Sequence, residues 1–106
     1  MSAGTDRANR VHLEGTLAER GTLRHTPAGV PVIEFRIAHQ SDRPEAGARR
    51  KVRAEIPALA FESTARLIAT QALGTRIRAS GFLCARSQRS KALVMHVNDI
   101  EFMQGE

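Results

Sequence analysis

At 106 residues the chain is long enough for one hydrophobic core and too short for two. A formal charge of +5 and a pI near 11.0 favour contact with nucleic acid or another acidic surface. No apolar run has the length of a signal segment or a membrane span, which argues against export and membrane insertion and points to a cytoplasmic protein.

The chain reads as a flexible segment at 1–8, one domain at 9–103 and a short end at 104–106. From Arg10 to Leu17, apolar Val11, Leu13 and Leu17 alternate with His12, Glu14 and Thr16, the period of a half-buried strand. Gly15 inside it predicts a bulge or a sharp bend. After the turn-rich segment Arg20 to Pro31, a second strand runs from about Val32 to Gln40, with Ile33, Phe35 and Ile37 on one face and Glu34 and Arg36 on the other. Ser41 to Ala48, carrying Asp42, Pro44 and Gly47, has the chemistry of a loop.

The third strand starts near Arg49 and turns apolar through Ile56, Leu59 and Phe61, with Pro57 marking an edge or an irregular end. Glu62 to Leu73 is the one predicted helix: Ser63 is its expected cap, Thr64, Ile68 and Ala72 share a face with Leu67, and Gly74 ends it. The fourth strand, Thr75 to Cys84, sets Ile77, Ala79, Gly81 and Leu83 against Arg76, Arg78 and Phe82. The fifth, Leu93 to Met103, has Leu93, Met95 and Val97 in phase but Ile100 and Phe102 out of phase. One extra residue near Asn98 and Asp99 would restore the face as a bulge. Three strands, a helix and two strands is the element order of the OB-fold, an all-β, partly open five-stranded Greek-key barrel that binds oligonucleotides.

Two basic segments carry the functional signal. Arg49, Arg50, Lys51 and Arg53 stand where the third strand leaves its loop, and Arg86, Arg89 and Lys91 occupy the loop before the fifth strand. Unpaired guanidinium and ammonium groups are too costly to bury, so both segments face water or a polyanion. Each also has a plain reading, as an aggregation-blocking strand edge or a solubilising loop. Arg76 and Arg78 fit carboxylate partners or solvent better than a ligand. With no Trp or Tyr and four Phe, the chain has few rings to stack on bases. Phe35, Phe61 and Phe102 sit in core patterns, which leaves Phe82 as the one exposed candidate, and even there core or dimer packing comes ahead of stacking.

Nothing supports catalysis. His12, His25, His39 and His96 lie singly, without the spacing of a metal site, and no nucleophile elbow or phosphate-binding glycine loop is present. The lone cysteine, Cys84, has no partner for an internal disulfide, and its apolar neighbours predict a buried thiol. No cofactor is implied.

Asn9-Arg10-Val11 with Leu13 and Gly15-Thr16, then Thr26-Pro27-Ala28-Gly29-Val30-Pro31 before Phe35, resembles the start of the primosomal replication protein N (PriB) family. Glu45-Ala46-Gly47, Ile56-Pro57, Gly81-Phe82, and Val94-Met95-His96 through Ile100-Glu101 extend the resemblance from Asn9 to Glu101. It implies an OB-fold homodimer related to bacterial single-stranded DNA-binding proteins. Such a protein acts in replication restart, binds single-stranded DNA, contacts the PriA helicase and in some bacteria passes DNA toward the loader protein DnaT. It is not an enzyme.

Carried onto this chain, the family's DNA contacts fall on Gln40 to Arg53, on Arg86, Arg89 and Lys91, and in the first turn near Arg24 or His25. Ala48 and Arg53 stand where well-known relatives carry aromatic rings, and Gln40 where they carry a base. That shifts the expected mechanism toward phosphate neutralisation, with Arg53 able to stack in part. Two alternatives stay open: a general strand-coating protein, against which the short segment after the fifth strand argues, and a protein-contact adaptor with slight DNA affinity.

Overall fold

The computed structural model describes residues 8–103. Of the segments expected at the two ends, 1–7 and 104–106 lie outside the described residues. The elements are β1 (Val11–Arg20), β2 (Arg24–His25), β3 (Pro31–Glu45), β4 (Ala48–Phe61), α1 (Glu62–Ala69), β5 (Arg76–Ala85) and β6 (Leu93–Met103). β2 is a two-residue strand within the segment read as turns, and the other five strands form the barrel.

Hydrogen bonding runs β1-β5-β6-β4-β3-β2, and β1 also pairs with β3, which closes the sheet on itself. All pairings are antiparallel except β4 with β6, where Ala58 faces Met95 and Leu59 faces His96. That topology is the expected OB-fold. Leu17, Ile33, Phe35, Ile37, Ile77, Ala79, Met95 and Val97 fill the interior, and Ala65 and Ile68 of α1 pack into the same core. Each fully buried Leu or Ile contributes roughly 1.5–3 kcal/mol, so this layer, and not the propensity of an eight-residue helix, holds α1 in place.

β1 serves both sides of the closure. Val11 to Thr16 pair with β5, and Thr16 to Arg20 pair with β3. Gly15 sits at the changeover, where a Cβ would lie 2.2 Å from the Ala38 carbonyl oxygen. The expected bulge lies instead between Leu17 and Glu19. Gly15 instead allows close backbone approach at this changeover. The bulge expected in the last strand is present: Ser80 faces Asp99 and Gly81 faces Val97, leaving Asn98 as the extra residue.

Several sequence expectations change. Ser41 to Ala48 is not a loop. β3 and β4 continue in an unbroken register from Val32 opposite Phe61 to Glu45 opposite Ala48, forming a hairpin arm. Its two-residue turn has Ala46 at φ 53° and Gly47 at φ 79°, the doubly left-handed geometry that suits a tight hairpin. The helix ends at Ala69, not Leu73, and Ser63 does not cap it. The chain passes from extended Phe61 directly into the first turn through Glu62 at φ 59°. Pro57 lies where one edge of β4 is still free, because β6 joins only at Ala58. Leu93 is exposed although in phase with Met95 and Val97, because it lies past the core at the strand's start, whereas Val94 is buried. Cys84 is exposed, since it shares the outward phase of Arg78 and Phe82.

Candidate nucleic-acid interface

The unbroken β3–β4 register sorts the basic block onto two faces. Ala58 and Ala60 point inward, so Leu59, Pro57 and Glu55 point outward, and the same alternation carries Arg53, Lys51 and Arg49 along the outer side of the arm. Arg50 falls on the opposite side, across the ladder from Arg43 and ion-paired with Glu45. Residues 40–53 hold five cations against two carboxylates, a surplus of three. Among the described residues, Arg49, Lys51 and Arg53 have no carboxylate within ion-pair distance, and Asp42, across the ladder from Lys51, is the one acid in register with them on that side.

The outer face of β3 and β4 continues from the arm into a groove of about 760 Å³. Glu19, Arg20 and Gly21 wall it on one side, Arg86, Ser87 and Ser90 on the other, with Glu34, Arg36, Leu59 and Val94 among the lining. The turn after β2 and the β5–β6 loop are both held by local bonds. The turn after β2 is closed by Thr26 N–H donating to the Val30 carbonyl and Val30 N–H to Thr26 Oγ1, at 2.9 and 3.1 Å. In the β5–β6 loop, Arg89 and Ser90 N–H donate to Ser87 Oγ, and Arg86 N–H donates to the Ala92 carbonyl. Serine hydroxyls thus take the place of a strand partner and fix where Arg86, Arg89 and Lys91 stand.

Among the described residues, every arginine of the groove lining but Arg20 has a carboxylate partner. Arg24 reaches Glu34 at 3.1 Å and Arg86 reaches the other oxygen of Glu34 at 3.5 Å. Arg36 lies 3.8 Å from both Glu19 and Glu55. Arg20 donates to the Ala69 carbonyl at the end of α1. The structure therefore brings Arg24 and Arg86 of the expected site together across one carboxylate, while His25, Arg89 and Lys91 stay exposed on the rims.

An aromatic row adjoins the groove. On the outer face of β5 and β6, Phe82 stacks on His96 with ring centroids 5.0 Å apart, and Phe61 at the end of β4 lies 5.9 Å from the same imidazole. Leu59, in the groove lining, is the direct strand neighbour of His96, so the two surfaces join. Phe82 and Phe61 are each 37% exposed. Phe82 stands as expected, but Phe61 is not a core residue. The signal that finds it is phase: Ile56 points inward with Ala58 and Ala60, which turns Phe61 outward.

Elsewhere, Arg78 binds Glu14 at 2.9 Å and Glu101 at 3.1 Å, and the Glu14 hydrogen bond leads in raising its pKa above the ordinary arginine value. Arg78 is thus occupied by carboxylates, as its sequence position suggested. A second cleft lies beside Val11 to Gly15, whose strand partners are on the β5 side only. There His39 Nδ1 donates to the Glu14 carbonyl at 2.6 Å, and Ser41 Oγ lies 3.0 Å from Nε2. Among the described residues no His, Cys, Asp and Glu group could hold a metal, and no helix is long and apolar enough to cross a membrane.

Comparison with known proteins agrees with this geometry. The model of a family described as another single-strand binding protein family matches residues 9–99. Replication restart protein PriB of Nitrosomonas europaea is 35% identical over 91 residues, covering 86% of this chain and 84% of its own. Its counterpart in Bordetella pertussis is 35% identical over 97 residues, covering 92% and 91%. The solved structure of the PriB protein from Ralstonia solanacearum superposes with a TM-score of 0.80 at 36% identity, covering 91% of this chain and 98% of that one. A single-stranded DNA-binding protein from Thermus aquaticus, 24% identical, shares the fold with a TM-score of 0.74 over 92% of this chain and half of its own. With residues 9–99 matched by the family model and relatives 35% identical over most of both chains, the chain belongs to the PriB family of replication restart proteins, within the single-strand binding proteins.

Proposed function

We propose that this chain is a single-stranded DNA-binding accessory protein of the replication-restart primosome. The observation that carries the reading is the outer face of β3 and β4. There Arg49, Lys51 and Arg53 lead along the unbroken β3–β4 register toward a groove walled by Glu19 to Gly21 and the Arg86 loop, where Arg24 reaches the lining residue Glu34. Strands two and three of an OB barrel, with the loops beside them, form a surface suited to an oligonucleotide backbone. In this reading Arg49, Arg50, Lys51 and Arg53 neutralise phosphates on the arm. Arg24, Arg86, Arg89 and Lys91 are the candidates at the groove with His25 beside them, three or four of these cations engaging phosphates at a time, and Phe82 with Phe61 offers ring faces to bases that leave it.

Assembly follows from the same frame. The free edge of β1 from Val11 to Gly15 is the place for a second copy of the chain to add its own strand, giving a homodimer with two arms. A PriA-type helicase is the partner this family reading implies, with a DnaT-type loader as the recipient of the strand in organisms that have one. Both would meet the complex in the cytoplasm. In this reading the protein acts by binding.

The test is fluorescence anisotropy of a labelled oligonucleotide in single- and double-stranded form, with the wild type and with Arg49, Arg50, Lys51 and Arg53 all changed to Ala. Preferential single-strand binding that falls at least tenfold in the variant supports the site. Unchanged single-strand affinity overturns it.

A further inference from the structure

The cations of this surface are not equivalent. Those on the arm have a surplus of charge, whereas Arg24, Arg36 and Arg86 in the groove are matched by Glu19, Glu34 and Glu55. Glu34 is the most connected of the three acids. Its Oε2 takes Arg24 from the β2 turn and its Oε1 takes Arg86 from the β5–β6 loop, so one carboxylate spans the mouth between the two walls. A phosphate binds arginine with the same paired-oxygen geometry. All three side chains are about half exposed, so their exchange with a solution anion requires no opening of the core.

We infer that Glu34 is a built-in competitor for nucleic-acid phosphate, occupying the position between Arg24 and Arg86 that a strand's backbone would take and so holding groove affinity down. This deepens the reading of the surface as a single-strand site and rests on it. A strand captured by the unpaired cations of the arm enters the groove only by displacing Glu34 from both arginines. On release the carboxylate returns to them. Exposed ion pairs of this kind are individually weak, so the exchange is easily reversed, which suits a protein that must give its strand up. The residue that limits affinity thus lies on the floor of the site, not at a distance from it. It faces outward in β3 with its side chain half exposed, so its carboxylate is free to be altered without altering the barrel.

The experiment measures anisotropy of labelled oligo(dT) across a salt series with wild type, Glu34→Gln, Arg24→Ala with Arg86→Ala, and the triple variant. Glu34→Gln keeps the shape and removes the charge. It is expected to tighten binding about threefold to tenfold at low salt. The slope of log affinity against log salt should stay close to that of the wild type, because Arg24 and Arg86 meet the same two phosphates in both bound complexes. The gain should vanish when Arg24 and Arg86 are absent. Thermal melts of all four proteins should coincide within about 2 °C, because the changes are exposed.

An unchanged or weakened Glu34→Gln protein overturns the role of Glu34, since a residue that merely positioned the two arginines would weaken binding when neutralised. A gain that persists without Arg24 and Arg86 also overturns it, because it would reflect net charge alone. Wild type that binds no strand at the lowest salt overturns the functional reading itself, whereas wild-type binding with an unresponsive Glu34→Gln overturns only the competitor.

Discussion

Phe82 on β5 and His96 on β6 stand directly opposite in the antiparallel ladder and stack on the outside of the barrel, ring to ring at 5.0 Å. A pair of this kind in the interior would contribute packing. Outside, beside Leu59 in the groove lining, it presents a flat surface to a partner. Phe61 extends that surface on the other flank of His96.

From this pair comes the first prediction. Phe82→Ala and Phe61→Ala should each weaken single-strand binding about five- to tenfold, the loss of roughly 1 kcal/mol of base stacking, with little change in salt slope. Titration of a labelled oligonucleotide at fixed salt measures it, and circular dichroism checks that the barrel is intact. A change in slope without a change in low-salt affinity would assign the rings no stacking role.

The two faces of the arm give the second. Arg49, Lys51 and Arg53 share the outer side of the hairpin, whereas Arg43 and Arg50 lie on the other and Arg50 is paired with Glu45. Neutralising the outer three by alanine should reduce affinity well over tenfold at low salt. Changing Arg43 and Arg50 should cost less per charge removed. Equal losses per charge would mean that the strand senses only the total charge of the arm.

Barrel closure supplies the third. A methyl at position 15 would meet backbone, the Ala38 carbonyl oxygen, and not the movable end of a side chain. Gly15→Ala should therefore separate β1 from β3 and destabilise the fold by about 2 kcal/mol or more, a fall of ~8 °C or more in melting temperature for a domain of this size. A melt within two degrees of wild type would show that the strands can shift apart at little cost.

How far the sequence carried these conclusions depends on whether a residue has a buried face to mark it. The bulge at Asn98 was legible because the apolar phase breaks between Val97 and Ile100 and only one extra residue repairs it. The arm was not legible, since Ser41 to Glu45 and Ala48 to Arg53 bury no large side chain. Asp42, Pro44 and Gly47 then read as loop chemistry although the register continues through them. Phe61 and Cys84 misled for another reason. Near α1 the barrel interior takes the small Ala58 and Ala60 of β4, which turns the larger Leu59 and Phe61 outward, and Cys84 follows the outward phase of Phe82. Hydrophobicity named the wrong residues there, while alternation from Ile56 named the right ones. The pairing of Arg24 with Arg86 across Glu34 spans 62 positions and two loops, and no local pattern announces it.

The central claim is that the outer face of β3 and β4 binds single strands mainly through their phosphates. The most direct measurement is the dependence of oligo(dT) affinity on salt for the wild type and for the variant lacking Arg49, Lys51 and Arg53. Three or four neutralised phosphates per protomer predict a slope near −2 to −3 for the wild type, at about −0.7 per phosphate, and a slope shallower by about 2 in the variant. A wild-type affinity that hardly changes with salt, or a variant whose slope matches the wild type, would contradict it.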